Sequence, residues 1–221
     1  MGNDSKPSIA FFDMDKTVLS RSSTTLWLKY MWRNRMLTVR EASMAICVSV
    51  AYGLRLMDFP RVVAWLSYAF RDGDVHATRE LADAWVREEL LGYVTQPAVE
   101  RIRAHQAAGE EVWLLSAATQ FVVRPVAEFL GVACRFTELE VVDGRITGYV
   151  AGEACYGAGK VTWAERIAKE RGAVLADCAF YTDSITDRPL LERVGRPVAV
   201  NPDRRLEKVA KERGWAVERF Y

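Results

Sequence analysis

Four consecutive apolar residues, Ile9-Ala10-Phe11-Phe12, run without a break into Asp13-Met14-Asp15-Lys16-Thr17. A short apolar run bounded by polar residues reads as a buried strand, here Ser8 to Phe12. The carboxylate that follows sits at the mouth of a buried element, where an unpaired charge is expensive. A chain with this arrangement must fold so that distant residues bring the aspartates their partners.

The rest of the sequence supplies such residues in a regular order. From about residue 24 to 93 apolar side chains recur at helical spacing, which predicts a module of roughly four helices. Thr38, Asp58-Phe59-Pro60 and Asp72-Gly73-Asp74 break it. Strands and helices alternate after that. Thr95 is positioned to cap a helix that has Pro97 in its first turn and stops at Gly109. Residues 111–115 read as a buried strand, and 119–130 as a helix ending at Gly131. Asp143-Gly144 joins strands at 139–142 and 145–150, a strong hairpin signal. An amphipathic helix follows from Lys160 to Arg171 with Gly172 as its stop, then strands at 178–181 and 197–200, and Asn201-Pro202 opens a last helix that stops at Gly214. Such alternation predicts an α/β fold, a Rossmann-like parallel sheet with helices on both faces. The helical module is then a cap inserted after the first strand, residues 21–94, and the core comprises 1–20 and 95–221.

Composition narrows the function. Half of the 221 residues are hydrophobic and 27% are charged, a globular balance. The net charge of +1 gives no support to a nucleic-acid binder. The 4 cysteines, Cys47, Cys134, Cys155 and Cys178, are dispersed without CxxC spacing, so reduced buried thiols of a cytoplasmic protein are expected. The first residues resemble no signal peptide, and Lys6 stands where a myristoylation motif wants Ser or Thr. The apolar stretch from Met44 to Leu54 is too short for a bilayer, which takes ~20 residues.

In a parallel sheet, ligands gather beyond the carboxyl ends of the strands. Asp13 with Asp15 and Thr17, Ser116, Lys160 at a helix start, and Asp183 with Asp187 fall at such places. Oxygen ligands for a hard cation, a lysine for phosphate and a carboxylate nucleophile make up a phosphate-chemistry inventory. Taken singly, each has a plainer explanation: a solvated turn, a capping serine, a surface lysine. Gly157-Ala158-Gly159-Lys160 is no Walker loop, because Val161 replaces the Ser or Thr that must follow the lysine. Ser116 lacks the G-x-S-x-G context of a serine hydrolase, and His76 and His105 read as surface or capping residues.

The four groups taken in order resemble the motifs of the haloacid dehalogenase-like hydrolases, in particular the phosphoserine-phosphatase-like subfamily IB. FFDMDKTVL matches the first motif, LLSAAT the second, Lys160 the third and YTDSITDRPLL the fourth. The resemblance implies a Mg²⁺-dependent phosphomonoesterase. Asp13 would be the nucleophile that forms an aspartyl-phosphate, and Asp15 the general acid and then base. Asp13, the Asp15 carbonyl and Asp183 would bind Mg²⁺, with Asp187 as an outer partner. Ser116 and the amide of Ala117 would hold the phosphoryl oxygens, Lys160 would neutralise charge, and Thr17 would fix the loop.

Two departures bear on substrate. Phosphoserine phosphatases carry a Glu shortly after the first motif, where Ser22 stands, and often Ser-Gly-Gly where this chain has Ser116-Ala117-Ala118. The expected substrate is a small amino-alcohol or amino-acid phosphate, with a lysophospholipid-type phosphate or histidinol phosphate as alternatives. A non-catalytic phosphate-binding protein is the alternative of another class. A monomer or homodimer without stable membrane insertion is expected. The cap aromatics Trp27, Tyr30, Trp32, Tyr52, Phe59, Trp65, Tyr68 and Phe70 read first as packing, and Arg21, Lys29, Arg33 and Arg35 as a solvated basic face.

Overall fold

The computed structural model describes residues 7–41, 43, 44, 47, 48 and 70–221. Strand β1, Ile9–Phe12, pairs in parallel with β2, Glu111–Thr119, on one side and with β6, Ala179–Thr182, on the other. The sheet continues through β3, Ala133–Thr137, beyond β2, and through β7, Arg196–Val200, and β8, Ala216–Glu218, beyond β6. Its order is β3-β2-β1-β6-β7-β8, parallel throughout. Chain order reverses between β1 and β6, which creates a crevice at their carboxyl ends.

The period-two alternation of each strand builds two cores. Ala10 and Phe12 of β1 face one layer with Ala179 and Tyr181 of β6. Helix α3, Gln96–Ala107, covers that layer through Ala98 and Ile102, and α4, Gln120–Leu130, through Val123, Val126 and Ala127. Ile9, Phe11 and Phe180 face the other layer. There α5, Ala158–Glu170, packs Val161, Ala164 and Ile167, with short α6, Arg188–Leu191, and α7, Arg204–Arg213, beside it. Full burial of such side chains contributes ~1.5–3 kcal/mol each, and every residue of β1 is buried.

Between β1 and β2 lie α1, Ser23–Arg33, α2, Val75–Glu88, and a 3₁₀ turn, Leu90–Tyr93. Asp74 caps α2 by accepting the Ala77 N–H at 2.8 Å. Trp85, Val86 and Leu90 are buried in the same cluster as Phe12. Trp27 packs edge-on to Trp85 at 4.9 Å and stacks on Tyr30 at 5.5 Å, so these two aromatics are packing residues, as expected. Phe70 packs against the small cluster of Ala82, Phe121, Leu139 and Ile146, whereas Trp32 is exposed. Tyr52, Phe59, Trp65 and Tyr68, and the central part of the expected helical module, lie outside the described residues.

Several sequence expectations need correction. The last helix begins at Arg204, not at Asn201, because Asp203 is the cap and accepts the N–H groups of Arg205 and Leu206 at 2.8 and 2.9 Å. Thr95 occupies the cap position of α3 without capping it; its hydroxyl donates to the Val18 carbonyl instead. His105 is buried rather than superficial, bonded through Nδ1 to Glu110 and through Nε2 to the Tyr181 hydroxyl. Of the cysteines only Cys155 and Cys178 are buried, while Cys47 is exposed; all four are free. The hairpin β4–β5, Leu139–Val142 and Arg145–Val150, has the expected bounds, with φ +50° at Asp143 and +75° at Gly144.

Candidate active site

Asp13 directly follows β1, and its N–H donates to the Tyr181 carbonyl at 2.9 Å, extending the ladder to β6 by one residue. Its side chain is nearly buried. Lys160 reaches it from the first turn of α5: Nζ lies 2.6 Å from Asp13 Oδ1 and 2.7 Å from Asp187 Oδ2. The Lys160 side chain is 3% exposed. Gly159, just before it, lies close against the Ala154 carbonyl. A Cβ there would lie 2.0 Å from the Ala154 carbonyl oxygen, so no other residue fits without a backbone shift.

Asp187 also accepts a hydrogen bond from the Thr182 hydroxyl at 2.7 Å. Its expected place was that of an outer metal partner; the contacts it makes are with Lys160 and Thr182. Asp15 accepts the N–H of Ser23 at 3.0 Å and its hydroxyl at 2.9 Å, so the start of α1 orients it. Ser116 is buried near the end of β2, where the pairing with β3 shifts register between Leu115 and Thr119. Such irregularities re-aim side chains at sheet ends. Ser116 Oγ accepts the Ala118 N–H at 3.2 Å, and Ala117 between them is half-buried. Thr17 is fully buried, yet its hydroxyl makes no hydrogen bond. The loop is held by backbone bonds from Val18 and Leu19 to the Met14 carbonyl, at 3.0 and 2.9 Å.

The electrostatics follow from this crowding. Burial pushes the Asp13 carboxyl up to about 7 against the pull of Lys160. Burial and the nearby Asp13 charge push Asp183 up to about 8. Asp15 is raised by burial and pulled back by its two bonds from Ser23. The opposing carboxylates hold the Lys160 ammonium well above its ordinary range despite its burial. Asp13 and Asp183 are hard oxygen donors whose charged forms burial disfavours and a bound cation would favour, a donor set that suits Mg²⁺. Among the described residues no three His, Cys, Asp or Glu side chains form a ready-made cage. A cation here would take two carboxylates and the Asp15 carbonyl, with the remaining positions left to water and substrate.

Sequence reasoning missed Ser23, Thr182 and Tyr221, whose hydroxyl donates to the Lys16 carbonyl at 3.2 Å. Thr182 precedes Asp183 at a strand end and was findable by position. The other two carry no local signal. Ser22 caps α1, with Oγ accepting from the Thr25 N–H.

Residues 10–192 match the family model of the haloacid dehalogenase-like hydrolases. A probable phosphatase of Mycobacterium tuberculosis is 35% identical over 215 residues, 96% of this chain and 75% of that protein. A histidinol-phosphatase of Neisseria meningitidis is 31% identical over 222 residues, 96% of this chain and 99% of that protein. A substrate-bound phosphoserine phosphatase structure shares the fold, with a TM-score of 0.71 at 19% identity over 99% of this chain and 95% of that one.

Proposed function

The chain belongs to the haloacid dehalogenase-like hydrolases, and from that footing we propose that it is a Mg²⁺-dependent phosphomonoesterase working through an aspartyl-phosphate. The observation that carries the reading is the buried Asp13–Lys160–Asp187 triad at the switch point of the sheet. Asp13 Oδ is the nucleophile, and Lys160 keeps it oriented and compensates its charge as an anionic phosphate approaches. Asp187 and Thr182 fix the lysine. Asp15, oriented by its two bonds from Ser23, gives its proton to the leaving alcohol and takes one from the attacking water. Burial raises its pKa above the ordinary carboxylate value, the direction that suits a proton donor. Ser116 and the Ala117 amide hold phosphoryl oxygens. Mg²⁺, held by Asp13, Asp183 and the Asp15 carbonyl, would neutralise phosphate charge.

We assign residues 21–94 to a cap that closes over Asp13 and selects substrate, and 1–20 with 95–221 to the core. The substrate class is a small amino-alcohol or amino-acid phosphate, with histidinol phosphate and lysophospholipid-type phosphates the next to assay. Ser22 is engaged at the α1 cap, so it provides no counterpart to the ammonium-binding Glu of phosphoserine phosphatases. Among the described residues no helix is long and apolar enough to cross a membrane. The test is hydrolysis of an aryl phosphate with Mg²⁺ and with excess chelator, followed by a panel of phosphorylated metabolites. Turnover only with the metal is expected; undiminished turnover in chelator contradicts the reading.

A further inference from the structure

Lys16 holds a left-handed backbone, φ +57°, in the loop that carries Asp13 and Asp15. A lysine keeps that conformation only where its surroundings impose it. Its carbonyl accepts the Tyr221 phenol, a contact that spans 205 positions of sequence. Tyr221 is itself placed by its neighbour. Phe220 is buried in the cluster that contains Phe12, and its N–H donates to Asn201 Oδ1 at 2.9 Å. The Asn201 N–H in turn donates to the Glu218 carbonyl at 2.9 Å, and Asn201 is also left-handed, at φ +41°. These two bonds clasp the segment 218–221 to the end of β7.

The same turn reaches the other catalytic loop. The Asp203 N–H donates to the Asp183 carbonyl at 3.0 Å, and Asp203 Oδ2 accepts the Ile185 N–H at 3.2 Å. Residues 201–203 therefore hold the Asp183 loop directly and the Asp13–Thr17 loop through Phe220 and Tyr221. The two loops bear carboxylates that repel each other, and this brace outside the site adds to the β1–β6 pairing that already sets the strands beneath them. We propose that Asn201 and Tyr221 are positioning residues, forming a clasp that locks the Asp13–Thr17 loop against the Asp183 loop. Its catalytic consequence rests on the hydrolase reading above.

Tyr221→Phe removes only the bond to Lys16. Asn201→Gly removes the side-chain half of the clasp, the bond from the Phe220 N–H, while keeping the backbone bond to Glu218 and tolerating the left-handed backbone. Hydrogen exchange of the Thr17, Val18 and Leu19 amides reads the loop, and steady-state kinetics on an aryl phosphate read its consequence. In both variants those amides are expected to exchange faster than in the wild type. The kcat should fall about 3–10-fold, on the scale of one lost hydrogen bond, with KM nearly unchanged. The double variant should be no worse than either single one, because both act through one contact. Wild-type exchange in Tyr221→Phe overturns the clasp, as does faster exchange with unchanged kcat, or multiplicative losses in the double variant. If Asn201→Gly does not fold, exchange and kcat of Tyr221→Phe decide alone. If the wild type hydrolyses no phosphate ester, the hydrolase reading fails, and the exchange rates alone uphold or overturn the clasp.

Discussion

Replacing Lys160 with methionine keeps an unbranched apolar stem out to Cε and removes the ammonium with its charge. Two buried carboxylates, 2.6 and 2.7 Å from the lost ammonium, are then left facing each other. Breaking a buried pair in this way costs about 3–5 kcal/mol. For a chain of this size that lowers Tm by roughly 6–20 °C. The deficit depends on pH with a definite sign. Asp13 is raised to about 7 even with the lysine present, and without it rises further. A carboxyl whose folded pKa exceeds its unfolded value contributes stability that is complete below the unfolded pKa and is lost as pH rises through the folded one. Lys160→Met should therefore be more destabilised, relative to the wild type, at pH 8 than at pH 5. Asp187→Asn added to it should restore part of the stability without restoring turnover. Activity should fall by about 10²–10³ in kcat, the scale for losing one preorganised electrostatic group. Melting curves at pH 5 and 8 with steady-state kinetics test this. A wild-type Tm at pH 8, or a kcat within tenfold, refutes the argument.

Asp15→Asn should fold normally, since Ser23 still has an oxygen to bond, and should lose about 10²–10⁴ in rate on a substrate with a poor leaving group; kinetics and a melting curve check both parts. Gly159→Ala should cost about 1–3 kcal/mol through overpacking, because its Cβ would stand 2.0 Å from the Ala154 carbonyl oxygen, and denaturant unfolding measures it. A maleimide at neutral pH should label exposed Cys47 first and spare Cys155, which is buried and whose thiol burial pushes up to about 12. Peptide mapping of the native protein reads the order.

The strand-end aspartates were legible because an apolar run that stops at a carboxylate is a local pattern, and the sheet order places the remaining motifs beside it. Helix ends were legible for the same reason: Gly109, Gly131, Gly172 and Gly214 all take the positive φ that a stop requires. The braces around the site were not. Ser23 on Asp15 and Tyr221 on Lys16 are single contacts set by tertiary packing, and nothing in the neighbouring sequence marks them. His105 was misplaced because a lone histidine has no periodic signature; its burial follows from two partners, one of them on β6. Strand β8 has three residues, too few for alternation to register.

The central claim is that Asp13 takes the phosphoryl group. The direct measurement is acid-quenched peptide mass spectrometry after brief mixing with Mg²⁺ and an aryl phosphate of good leaving ability. Such a leaving group needs little help from Asp15, so phosphoenzyme should form in Asp15→Asn and persist there, because the base for water is missing. The account predicts a phosphoryl adduct on the peptide containing Asp13, present transiently in the wild type, accumulated in Asp15→Asn and absent in Asp13→Asn. An adduct on Ser116, or full turnover by Asp13→Asn, would contradict it.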